Sequence, residues 1–219
     1  MKLNKDILKT KNKLLFLAAI SLLILLVIIV YGTPLCNATF EGKVIDADTK
    51  QAIEGAVVVV SWTEERGTPT GGTQRLKEVK ETLTDKNGTW KLRGPRGTSD
   101  DFLVNVYSIL TMLTGAHYTN PPQFIIFKPG YCSYPQGFGI AACKERMRPY
   151  GVGNGEATEL PKLMSREDRV LAQAIWPSLL GGDKASKKKV KIFIRLLNEE
   201  AKNIGLQVDP TLQEIENEK

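Results

Sequence analysis

His117 is the only histidine in this chain of 219 residues, so a two-histidine zinc site cannot be assembled within one copy. A Ser–His or Cys–His nucleophile pair would also have to use His117, with Cys132 the nearest thiol in sequence. Asp85-Lys86-Asn87-Gly88 shares a fragment of a calcium loop, but the remaining oxygen ligands and the closing glutamate do not follow at the required spacing. No glycine-rich loop carries the lysine-serine arrangement that cradles phosphates. The residues therefore predict no catalytic constellation, no metal and no cofactor, and the chain reads as a non-enzyme.

The remaining chemistry is covalent and aromatic. Of three cysteines, Cys36 sits in the leader, while Cys132 and Cys143 form an even pair beyond it, with Pro135, Gly137 and Gly139 letting the intervening chain bend back. A disulfide between them is expected, and it would remove the Cys132 thiolate from any nucleophilic role. Five of the six tyrosines lie between Phe102 and Tyr150. Tyr131, Tyr134 and Phe138 on the stapled loop could stack on sugars or grip a peptide, with Lys128 and Arg146 adding charge. The competing reading is that these rings close the end of a β-sandwich.

The elements that must position these residues begin with a leader. Met1 to Lys13 contains five lysines and is followed by an apolar run from Leu14 to Val30 interrupted only by Ser21. Seventeen residues lie between the usual length of a signal-peptide core, about 7–15, and that of a membrane span, about 17–25. Small residues at Cys36 and Ala38 suit cleavage after Ala38, so residues 1–38 are a signal peptide or a transmembrane anchor. Either way the lysines stay cytoplasmic and the rest is exported to the periplasm or cell envelope. The net charge is +6, yet the leader's five lysines and one aspartate leave 25 basic against 23 acidic residues for the remainder. That balance removes the concentrated cationic surface nucleic-acid binding needs. The expected partners are an envelope protein or a glycan, and the membrane itself through residues 14–31 if the leader is retained.

From Thr39 to about Lys128 short β-branched runs alternate with turn residues. Phe40 to Ile45, Ala56 to Trp62, Val79 to Thr84, Thr89 to Leu92, Asp101 to Ser108 and Gln123 to Lys128 read as strands of an antiparallel sandwich, with Asp85–Gly88 as a hairpin turn. Arg66–Thr73 and Arg93–Ser99 read as loops by composition. After Leu160 the pattern turns helical. Ser165 opens a capping-box-like start, Trp176-Pro177 ends that segment and Gly181-Gly182 reads as a hinge. Val190, Ile194, Leu197, Ala201 and Ile204 then form one apolar stripe of a helix that closes at Gly205, while the alternation of Val190, Ile192 and Ile194 leaves a strand open for its first part. The chain thus divides into a leader, a β-sandwich over 39–130, an aromatic loop over 131–160 and a helical region over 161–219.

Three blocks in order, Phe40-Glu41-Gly42-Lys43-Val44-Ile45-Asp46, Ile53-Glu54-Gly55-Ala56-Val57-Val58-Val59 and Thr84-Asp85-Lys86-Asn87-Gly88-Thr89-Trp90-Lys91-Leu92, resemble the carboxypeptidase regulatory-like domain family. Phe127-Lys128-Pro129-Gly130-Tyr131 is similar to that family's closing Gly-Tyr. The resemblance covers about residues 39–130 and implies a transthyretin-like β-sandwich without its own catalytic centre. The insertion before Leu76 and the chain past Tyr131 depart from it. Together these readings give a mainly β exported module doing structural or protein-interaction work, or binding a carbohydrate or envelope polymer through the aromatic loop.

Overall fold

The computed structural model describes residues 3–31, 37–68, 71–99, 101–135, 140–147, 152–174, 188–208 and 210–217. The chain is mainly β, with two sheets and several helices. Alternation along β1 (Asn37–Asp46) turns Phe40, Gly42, Val44 and Asp46 inward and leaves Glu41 and Lys43 outside. β1 is the central strand of the first sheet, antiparallel to β4 (Thr89–Pro95) on one side and parallel to β7 (Asn154–Leu160) on the other. Asn37 lies opposite Pro95 at one end of the β1–β4 ladder, and Lys43 opposite Thr89 at the other.

In the second sheet β2 (Val57–Thr68) pairs with β3 (Gly71–Leu83) along one edge, and with β5 (Tyr118–Thr119) and β6 (Gln123–Phe127) along the other. The two sheets share a core to which one contributes Val44, Trp90 and Leu92 and the other Val58, Val60, Trp62 and Ile126. Gly42 makes room for this packing, since a Cβ there would sit 2.9 Å from Nε1 of Trp90. Val57 and Val59 face the opposite way, with Val79, Ile125 and Phe127, and are covered by Phe193, Ile194, Leu196 and Leu197 of α5 (Lys191–Asn203). Burial on both faces explains why β2 reads as an unbroken apolar run rather than an alternating one.

Five local expectations need correcting. Arg93 to Pro95, read as the start of a loop, continue β4 opposite Asn37 to Thr39. Asp101–Ser108 is not a strand but the start of α2 (Asp101–Thr114). Its Val and Tyr content favours either state over eight residues, and the apolar pattern continues without a turn signal to Thr114, too long for an ordinary strand. Arg66–Thr73 is not a loop by composition: β2 and β3 stay paired out to Thr68 opposite Gly71. Cross-strand ion pairs support this arm, with Glu64 bonded to Arg75 at 2.9 Å and to Lys77 at 3.0 Å. Asp85–Gly88 does turn the chain, through Asp85 accepting the N–H groups of Asn87 and Thr89, but it passes from one sheet to the other instead of joining a hairpin. Turn chemistry sets the local reversal and not the sheet that the next strand joins. Asn154–Leu160, placed in the aromatic loop by sequence, supplies β7 and makes the first sheet mixed rather than purely antiparallel.

Past β7, α4 (Arg166–Ala174) begins as its capping residues require, with the Asp168 N–H donating to Ser165 Oγ at 3.0 Å and that hydroxyl donating to Asp168 at 2.8 Å. Trp176-Pro177, Gly181-Gly182 and Phe138 lie outside the described residues. Arg169 of α4 donates twice to Glu200 of α5, both at 2.6 Å, pinning the two helices together. A short α3 (Ala141–Lys144) and a final α6 (Pro210–Asn217) complete these elements. At the other terminus, α1 runs from Leu3 to Tyr31, and its side chains are described for residues 11–25. Among the described residues no helix is long and apolar enough to cross a membrane.

Candidate functional site

Cys132 and Cys143 are bonded, with Sγ atoms 2.00 Å apart and Cα atoms at 5.9 Å. Cys132 is held against the β7 end of the first sheet by its N–H, which donates to Pro161 O at 2.8 Å, and Cys143 sits in α3. Both sulfurs are buried in the shared core. His117 is exposed between α2 and β5, and Cys132, the thiol nearest to it in sequence, is held in the disulfide and has no thiolate to offer. Among the described residues no group of three His, Cys, Asp or Glu side chains is placed to hold a metal ion.

Of the five candidate ligand residues Phe138 lies outside the described residues, and the other four, Lys128, Tyr131, Tyr134 and Arg146, do not converge. Tyr131 packs against the core, and its hydroxyl donates to the Asp46 carboxylate. Burial, and then the Asp46 charge, push the Tyr131 hydroxyl pKa upward. Burial also works against the charge on Asp46, but the N–H groups of Thr49 and Asp48, each 2.9 Å away, and the Tyr131 hydroxyl outweigh it and hold the carboxyl below its ordinary range. Lys128 Nζ donates to Glu54 O at 2.8 Å, and Arg146 pairs with Asp48. These contacts tie the aromatic loop to the β1 and β2 approaches, and they leave Tyr134 as the member of the set that faces a cleft.

That cleft, about 420 Å³, runs beside the outer edge of β6 and is lined by Ser61, Gln123, Phe124, Ile125, Tyr134 and Pro135 together with Pro122. Ile126 exchanges both backbone hydrogen bonds with Tyr134, at 3.0 and 2.9 Å, and this exchange fixes the tyrosine at the cleft wall. Burial raises the Tyr134 hydroxyl pKa, so it is a neutral donor and acceptor through the physiological range. Phe124 backs onto Phe40 and Trp90, at ring separations of 5.8 and 5.9 Å. An aromatic wall, an amide at Gln123 and a hydroxyl at Tyr134 suit a small ring with polar substituents. Sequence reasoning missed Gln123 and Ser61. Their role depends on β6 lying beside β2, which periodicity does not report. Comparison with protein-family models, with curated proteins and with solved structures finds no match to this chain.

Proposed function

We propose that this chain is an exported, non-enzymatic module held at the cell envelope, in which a transthyretin-like sandwich is carried on a signal or anchor helix and followed by a helical C-terminal region, and which does structural or protein-interaction work. The observation that carries the reading is the surface of α1. Leu14, Leu15, Phe16 and Leu17 succeed one another at about 100° intervals around the helix, and all four are between 63% and 70% exposed. A helix apolar on every side has no face to give to water, and it is matched by hydrocarbon or by export machinery. The apolar run continues in the sequence to Val30, and five lysines precede it, which sets the exported side after Tyr31. The bonding of Cys132, the thiol nearest in sequence to the exposed His117, supports the non-enzymatic part.

A second reading, binding of a carbohydrate or envelope polymer, is favoured by the Tyr134 cleft. Alkaline phosphatase fused after Lys219 tests export: activity is expected, and a silent fusion in a strain where a cytoplasmic reporter at the same place works would overturn it. Cross-linking mass spectrometry on native membranes separates the two readings. Recurrent links to one envelope protein support the first, and glycan-array binding abolished by Tyr134→Ala supports the second.

A further inference from the structure

α2 has no charged residue from Phe102 to Ala116, and its outward side carries the amide of Asn105 followed by apolar side chains. Ile109, Met112 and Leu113 fall on one face, and they are 59%, 41% and 74% exposed. The opposite face is seated on the β2 arm. Gly67 N donates to Thr111 Oγ1 at 2.9 Å, and Tyr107 stacks on Tyr118. The seat depends on glycine, since a Cβ at Gly67 would lie 2.2 Å from the Ser108 carbonyl oxygen. Leu113 and its neighbours are therefore held in place by a fixed helix.

The topology puts this patch at one particular end of the molecule. Trp62 Nε1 donates to Pro95 O at 2.7 Å, and Gly94 lies against the Trp62 ring, so Trp62 stands level with Asn37 and Pro95. β2 continues beyond Trp62 to Thr68, and α2 is seated on that projecting part. Asn37 is also where the chain arrives from α1, after five intervening residues. Whatever their path, those residues reach at most roughly 20 Å.

We propose that the Ile109–Met112–Leu113 face of α2 rests in the interfacial layer of the bilayer that holds α1, giving the body a second, non-covalent membrane contact and a fixed orientation. This rests on the membrane-tethered form of the reading above. The tether keeps the Asn37 end close to the membrane surface, and that end carries the uncharged apolar face. The Asp85–Gly88 turn at the far end of the first sheet points away from it. Lipid suits the patch because no charged group on this stretch of α2 has to be desolvated.

The test uses the full chain with Cys36→Ser, reconstituted in phosphatidylcholine–phosphatidylglycerol vesicles, with one nitroxide at Leu113→Cys or at Lys86→Cys as the distal control. Flotation is measured first, and then power saturation with oxygen and with an aqueous nickel chelate. The expected result is that both proteins float and that the Leu113 label is several-fold less accessible to nickel and more accessible to oxygen than the Lys86 label. A floating chain whose Leu113 label meets nickel as freely as Lys86 overturns the lipid contact and leaves the tether standing. A Leu113 label shielded from both reagents overturns it in favour of a protein neighbour, such as a second copy. A chain that does not float overturns the tether and this inference together.

Discussion

Asp46 is a buried carboxylate that keeps its charge because four donors converge on it, the N–H groups of Asp48 and Thr49 and the hydroxyls of Thr49 and Tyr131, and its contribution should be visible in the pH dependence of stability. Its folded pKa lies below the ordinary carboxylate value, so the stabilisation is present above about pH 4 and is lost as pH falls through the folded value. Asn at this position keeps an acceptor for the N–H groups of Asp48 and Thr49 but loses the charge that the Tyr131 hydroxyl faces. Urea denaturation should therefore show Asp46→Asn about 1 kcal/mol less stable at pH 7, with the gap closing toward pH 3. A gap unchanged with pH would mean that the carboxylate charge contributes nothing. The Cys132–Cys143 bond makes a second residue-level contribution. Closing a loop of this length is worth about 3 kcal/mol in the chain-entropy model. For a body of this size that corresponds to a fall in Tm of roughly 6–12 °C on reduction, read by calorimetry with and without reductant. Gly94 makes a third, steric one. An added Cβ would sit 2.2 Å from the Trp62 ring, so Gly94→Ala should cost about 1–3 kcal/mol by overpacking, read by chemical denaturation.

Between elements, the Arg169–Glu200 pair joins α4 to α5, and the Glu81 carboxylate holds α5 to the sheet. Glu81 of β3 accepts the N–H groups of Ile192 and Phe193, at 2.8 and 2.9 Å, and so caps α5 from outside its own segment. Burial raises the Glu81 pKa despite those donors. Glu200 is nearly fully buried, and Arg169→Ala would strand its charge at a cost of about 3 kcal/mol or more, with Glu200→Gln in the same chain recovering most of it. A double-mutant cycle by chemical denaturation checks this, and additive effects would show that the pair does not couple α4 to α5. Sequence periodicity foretold the buried side of α5 well, because Val190, Ile194, Leu197, Ala201 and Ile204 lie on one side of a helix whose whole stripe meets one surface. It also foretold the inward residues of β1. It failed for α2, whose apolar residues occupy both the seated and the exposed sides, and it could not foresee Glu81, whose role exists only after β3 and α5 meet. The candidate site was partly legible for the same reason. The Cys132–Cys143 pairing follows from counting, while the separation of Tyr131, Lys128 and Arg146 from Tyr134 follows from contacts with Asp46, Glu54 and Asp48 that are distant in sequence.

For the whole molecule, the proposed presentation at a membrane rests on the exposed apolar side chains of α1 from Leu14 onward and of α2, and it requires the Asp85–Gly88 end to lie on the exported side. The most direct measurement of that arrangement is labelling of Lys86→Cys, in the Cys36→Ser chain, by a membrane-impermeant maleimide. It is made on intact cells or outer-membrane-permeabilised cells, followed by alkaline extraction of the membranes. Labelling without lysis of the inner membrane is expected, with the labelled chain remaining in the extracted membrane pellet if α1 is retained as an anchor, and released in soluble form with a new N-terminus at Thr39 if it is cleaved. Labelling that requires inner-membrane lysis would contradict the exported reading.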